Sequence, residues 1–152
     1  MKPARGFTLI EVLVVVVIGG IAAGLVMMSG RAMPQRQLDA EVERLLRVMS
    51  IARDEAEVTG QPLALEISTQ GYAFRQRDRN GQWRVPAEDV LRPRTWPLPV
   101  GAVTLAPETL AGRVLFEPGG RTQPFALQIE ADGRRVAVAG DVLGRYRRMP
   151  AP

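Results

Sequence analysis

The sequence predicts an α+β fold, in which a long N-terminal helix, apolar in its first half and amphipathic in its second, packs on a C-terminal antiparallel β-sheet domain. Three observations carry this expectation. Residues 12–30 hold no charge and are mostly Val, Ile, Leu, Met, Ala and Gly. Beyond Arg31, apolar residues recur at alternating steps of four and three, the period of one helix face. From Pro62 onward the period falls to two and is broken by Gly, Pro, Asn and Asp, as in half-buried strands joined by turns.

The first element is the apolar run. Residues 12–28 approach the ~20 that a bilayer-spanning helix requires. Lys2 and Arg5 precede the run, and the positive-inside rule keeps them in the cytoplasm, so the remainder is expected outside the inner membrane as a periplasmic domain on a single-pass anchor. An ordinary secretory signal would close the run with small residues and a cleavage site, whereas Met27-Met28-Ser29-Gly30-Arg31 stands there.

The unusual residues lie before the run. Arg5-Gly6-Phe7-Thr8-Leu9-Ile10-Glu11-Val12-Leu13-Val14 resembles the processing motif of type IV pilins and type II secretion pseudopilins. In that family a membrane-embedded prepilin peptidase cuts after the glycine and methylates the new amine. The resemblance therefore implies a cut between Gly6 and Phe7, an N-methylated Phe7 and a type IV pilin-like fold. Glu11 has two readings. A carboxylate in a first helical turn is favoured by the helix dipole and can rest among lipid headgroups. The family implies instead that Glu11 pairs with the Phe7 amine of a neighbouring subunit and sets register during assembly. Gly20-Ile21-Ala22-Ala23-Gly24 forms a G-x-x-x-G that would let another helix approach closely.

The second element is the amphipathic helix. Leu38, Val42, Leu45, Met49, Ala52 and Ala56 form one seam, while Asp39, Glu41, Glu43, Arg44, Arg47, Arg53, Asp54 and Glu57 occupy other faces. Pro34 is expected to kink or briefly interrupt the helix, and Thr59-Gly60-Gln61-Pro62 to stop it. The expected organisation is a leader over 1–6, a transmembrane or filament-core helix over 7–30, an amphipathic helix over 31–60 and a β domain over 61–152.

Strands are expected at 63–67, 72–75 and 83–85, with a tight turn at Asn80-Gly81. Asp78-Arg79-Asn80-Gly81 resembles a calcium loop faintly, but it lacks the third ligand and the closing glutamate, so it reads as a turn. Residues 86–99 hold four prolines with Arg92, Arg94 and Trp96, too many for central strands. This segment reads as a surface loop with one short edge strand. Trp96 flanked by arginines fits an anchor at a partner interface, or a ring folded over its own sheet. Further strands are expected at 114–116, 125–129, 136–138 and 140–146, with turns at Pro118-Gly119-Gly120 and Asp132-Gly133.

Leu115-Phe116-Glu117-Pro118-Gly119-Gly120, then Pro124-Phe125 and Gly140-Asp141-Val142-Leu143-Gly144-Arg145, resemble the C-terminal domain of the H-type minor pseudopilin of type II secretion. That resemblance implies a subunit at or near the tip of a short periplasmic filament. Its implied partners are other minor pseudopilins, the major pseudopilin, the prepilin peptidase and the inner-membrane assembly platform. The alternative is a minor pilin of a pilus or DNA-uptake system, with Arg145, Arg147 and Arg148 on nucleic-acid phosphates.

Composition narrows the chemistry. The chain has no cysteine and no histidine, and its one lysine is Lys2. An enzyme would need a carboxylate pair or a nucleophile with its base. Glu66, Glu88, Asp89 and Asp141 remain, and nothing in their spacing marks a pair. No catalysis, cofactor, metal site or small-molecule substrate is expected. Without Lys2 and Arg5 the balance is 18 basic against 16 acidic residues, or +2, too weak for a general nucleic-acid surface.

Overall fold

The computed structural model describes residues 9–120 and 122–150, the side chains of 23–35 and 109 excepted. The chain falls into two compact units, residues 1–36 and 37–152.

Helix α1 spans Leu9–Thr59 and is continuous through Pro34. The expected interruption does not occur. Proline removes one backbone donor, and the turns on either side keep their hydrogen bonds. In the first unit, the large aliphatic side chains from Leu9 to Ile21 stand 47–84% exposed. Among the described residues no helix is long and apolar enough to cross a membrane. The expected spanning segment, 7–30, begins before them, and its side chains from 23 onward lie outside those described.

In the second unit the expected seam is buried throughout. Leu38, Val42, Leu45, Met49, Ala52 and Ala56 are each at most 1% exposed, and Val48 joins them at 2%. The seam packs on two antiparallel sheets. The first contains β1 (Leu63–Ile67), β2 (Gly71–Arg77), β3 (Trp83–Arg84), β4 (Arg94–Thr95) and β6 (Arg113–Phe116). Its order is β3-β2-β1-β6, and β4 also pairs with β2. The second orders β5 (Ala102–Ala106), β7 (Phe125–Ala131), β8 (Arg134–Gly140) and β9 (Tyr146–Met149) as β5-β7-β8-β9.

Alternation decides which face is buried. Along β7, Phe125, Leu127, Ile129 and Ala131 are buried while Ala126 and Gln128 are exposed. Along β1 and β2, Leu65 pairs with Phe74 on the core face. A chain of rings then runs from one sheet to the other. Trp96, Tyr72, Phe74, Phe116, Tyr146 and Phe125 stand in sequence with centroids 5.4–6.3 Å apart, within the range of favourable aromatic pairs.

The turns follow their residue chemistry. Asp78 Oδ1 accepts from the amides of Asn80 and Gln82, closing the expected turn, and Gly81 takes φ 81°. Asp132 and Gly133 both have positive φ, as the two-residue hairpin between β7 and β8 requires.

Two expectations are corrected. Strand β5 was not anticipated: its alternating Val103 and Leu105 are only half-buried and lie between Pro99 and Pro107. The closing strand begins at Tyr146, not at Gly140. Asp141 Oδ1 accepts from the amides of Leu143 and Arg145, so residues 141–145 form a turn instead of extending.

Candidate assembly surfaces

Gly6 and Phe7 lie outside the described residues. Glu11 stands in the first turn of α1 among exposed aliphatic side chains, and among the described residues it has no ion-pair partner.

The proline-rich segment is held by three local contacts. Leu91, in a 3-10 turn over Asp89–Leu91, is fully buried, and Arg92 pairs with Asp89 at 2.7 Å. Trp96 is 7% exposed, and its Nε1 donates to the Ser68 carbonyl at 2.9 Å. Its own sheet thus uses both the ring and the indole N–H. Arg94 differs. Its Nε donates to Glu41 Oε1 at 2.6 Å while its side chain stays 46% exposed.

Glu41 is a residue that sequence reasoning missed. Placed on an outward face by its spacing, it is 5% exposed and takes hydrogen bonds on Oε1 from Arg94 and, at 2.8 Å, from the Tyr72 hydroxyl. Burial, and then the hydrogen bond to Glu41, push the Tyr72 hydroxyl well above the usual tyrosine range. The hydrogen bond that Arg94 itself donates to Glu41 raises the Arg94 guanidinium. Tyr72 thus stays neutral and Arg94 stays charged at neutral pH, and both donate to the one buried Glu41 oxygen. Beside them lies a hollow of about 620 Å³, lined in part by Ser68, Gln70, Gly71, Arg94 and Thr95.

The C-terminal arginines are mostly engaged within the chain. Arg145 pairs with Asp141 at 2.8 Å, and Arg148 pairs with Asp39 of α1 at 2.7 Å. Arg147 is exposed and has no ion pair among the described residues. The carboxylates considered for chemistry are also not brought together. Glu66 is held by Arg75 and Arg113, Asp89 by Arg92 and Asp141 by Arg145.

The opposite end of the helix is tied down from two places. Arg53 donates to the Gly144 carbonyl at 2.9 Å, and Glu57 accepts from the Gly119 amide at 2.7 Å. These are the turns of the two Gly-rich motifs noted in the sequence.

Comparison with known proteins joins these features. Residues 1–27 match the prokaryotic N-terminal methylation motif. Type II secretion system protein H of Pseudomonas aeruginosa is 29% identical over 160 residues, covering 93% of each chain. The protein of the same description from Aeromonas hydrophila is 29% identical over 167 residues, covering 93% of this chain and 91% of that one. Among solved structures, the minor pseudopilin EpsH from the Vibrio cholerae type 2 secretion system superposes with a TM-score of 0.57 at 17% identity, over 74% of this chain and 96% of that one. The Pseudomonas aeruginosa type IV minor pilin FimU gives 0.56 at 16%, over 76% and 90%. The fold is thus that of pseudopilins and minor pilins, α+β as expected. Because residues 41–144, which hold most of the outer helix seam and strands β1 to β8, match the family described as type II transport protein GspH, the chain belongs to that family.

Proposed function

We propose that this chain is a minor pseudopilin of a type II secretion system, a structural and non-enzymatic subunit at or near the tip of a short periplasmic pseudopilus that helps assemble it for export of folded proteins. The observation that carries the reading is the presence in one chain of the N-terminal methylation motif, at 1–27, and the GspH match, at 41–144. Residues 1–6 are then the cleaved leader, 7–30 the single-pass inner-membrane and filament-core helix, 31–60 the amphipathic helix and 61–152 the periplasmic β domain. Other pseudopilins, the prepilin peptidase and the inner-membrane assembly platform are its partners. Nucleic-acid binding through Arg145, Arg147 and Arg148 is the weaker reading, since two of these three cations already have a carboxylate.

In this reading Glu11 pairs with the Phe7 amine of a neighbour, which the exposed aliphatic surroundings of Glu11 support. Glu11→Ala should leave cleavage, methylation and membrane insertion intact but impair incorporation beside other subunits. Leaving the amine unpaired in low dielectric costs ~3–5 kcal/mol. Intact mass of the mature chain tests the cut at Gly6-Phe7, and cross-linking to sister subunits tests assembly. A mature chain retaining Met1 would sink the reading. Unchanged cross-linking and secretion in Glu11→Ala would reduce Glu11 to an interfacial helix-start residue.

A further inference from the structure

We infer that the hollow beside Arg94 receives the carboxylate side chain of an Asp or Glu from a neighbouring subunit of the filament, an inference that rests on the filament-subunit reading above. Arg94 has a divided role. Its Nε is committed to Glu41, whereas its two terminal amino groups have no hydrogen-bond partner among the described residues. A guanidinium held by its inner nitrogen presents its outer edge, which is the geometry that takes a carboxylate with two parallel N–H···O bonds.

The rest of the hollow suits that ligand. Ser68, Gln70 and Thr95 line it with neutral polar groups, and Ile67, Ala73 and Pro93 give apolar wall for the methylenes of an acidic side chain. Glu66, the acid among the lining residues, is neutralised by Arg75 and Arg113. It therefore does not repel a second carboxylate. A nucleic-acid strand would need a track of cations following its phosphates, and the lining offers one arginine.

The site is also rigid before anything binds. Arg94 and Tyr72 are register partners across β4 and β2, and their side chains converge on the same oxygen of Glu41. Gly71 pairs with Thr95, and a β-carbon at Gly71 would stand 2.0 Å from the Arg94 carbonyl oxygen, so only glycine lets the two strands close. An arginine fixed in this way loses little conformational freedom on binding.

The test uses the full chain expressed with its partner pseudopilins, carrying a photo-reactive amino acid at Gln70, which is exposed at the rim. Adducts are quantified and mapped by peptide mass spectrometry. The expected adduct lies on a sister subunit, at or next to an Asp or Glu. Thr95→Asp puts a like charge at the rim without touching the Glu41–Arg94 pair and should lower the yield about tenfold. Thr95→Arg, equally disruptive in size, should keep it, and changing the partner's acid to Arg should restore the adduct of Thr95→Asp. An adduct with no acid near it, an unchanged yield in Thr95→Asp, or equal loss in both Thr95 variants overturns the proposal. Glu11→Ala, run in parallel, separates the two readings. If it blocks assembly while Thr95→Asp is silent, only the hollow is refuted; if both are silent, the pairing role of Glu11 falls as well, and a mature chain retaining Met1 would overturn the filament reading itself.

Discussion

Leu13 and Leu45 lie on the same helix, yet Leu13 is 57% exposed and Leu45 fully buried. The contrast extends to their surroundings. Between Leu9 and Ile21 every large aliphatic side chain is exposed, whereas from Leu38 to Ala56 every seam residue is covered by the two sheets. The outer half solves its burial problem within the chain. The described aliphatic side chains of the inner half stand exposed instead. One helix thus contains a folding element and an exposed apolar surface, which in the proposed function lipid or other subunits cover.

Leu45→Ala and Val14→Ala test this contrast most strongly. Truncating Leu45 should destabilise residues 37–152 by ~2–5 kcal/mol, the cost of lost burial plus a cavity. Val14→Ala should change their unfolding by less than about 0.5 kcal/mol. Denaturant unfolding of the full chain in detergent, followed by tryptophan fluorescence from Trp96 in the core, measures both. Equal losses would mean that the inner half also supports the fold.

An intermediate effect is expected at Glu41. Glu41→Ala strands Arg94 and the buried Tyr72 hydroxyl, and should cost ~1–3 kcal/mol, less than a fully buried ion pair because Arg94 is half-exposed. A double-mutant cycle with Tyr72→Phe should show coupling between the two. Strict additivity would reduce the hydrogen bond to a bystander.

The smallest effect is local and depends on pH. The Arg145 amide, more than any other group, holds the Asp141 carboxyl below the usual carboxylate range; desolvation opposes it, and the Arg145 guanidinium and Leu143 amide add to the lowering. A depressed folded value favours the native turn above the ordinary carboxylate pKa of about 4, and that support is lost as pH falls through the lower folded value. Protection factors of the Leu143 and Arg145 amides, taken relative to the intrinsic exchange rate at each pH, should therefore fall in acid and hold near neutrality. Asp141→Asn should remove this pH dependence.

How far these features could be read from residues alone varies with distance along the chain. The seam from Leu38 to Ala56 was legible because helix neighbours lie three or four residues apart. The turns at Asn80-Gly81 and Asp132-Gly133 were legible because each needs a backbone geometry that few residues adopt. The family was legible from residues 5–14 and from the Gly-rich C-terminal turns. Glu41 was not, because its helix spacing points outward and what buries it is Arg94, 53 positions later. Trp96 was ambiguous for the same reason, its acceptor being the Ser68 carbonyl. Strand β5 escaped because five small or half-buried residues between prolines give too short an alternation to separate from loop.

The ties between α1 and the end of the chain bear on when this protein can fold. Arg53 reaches Gly144, Glu57 reaches Gly119 and Asp39 waits for Arg148, so the helix is secured by residues 62 to 109 positions downstream. At ~5–20 residues per second, synthesis of the stretch from Ala56 to Arg148 takes roughly 5–20 s. For that interval the seam is made but uncovered, since helix formation takes only about a microsecond. The nascent chain therefore spends seconds as a helix with a naked apolar stripe, a window in which a chaperone or another chain competes with its own last strand.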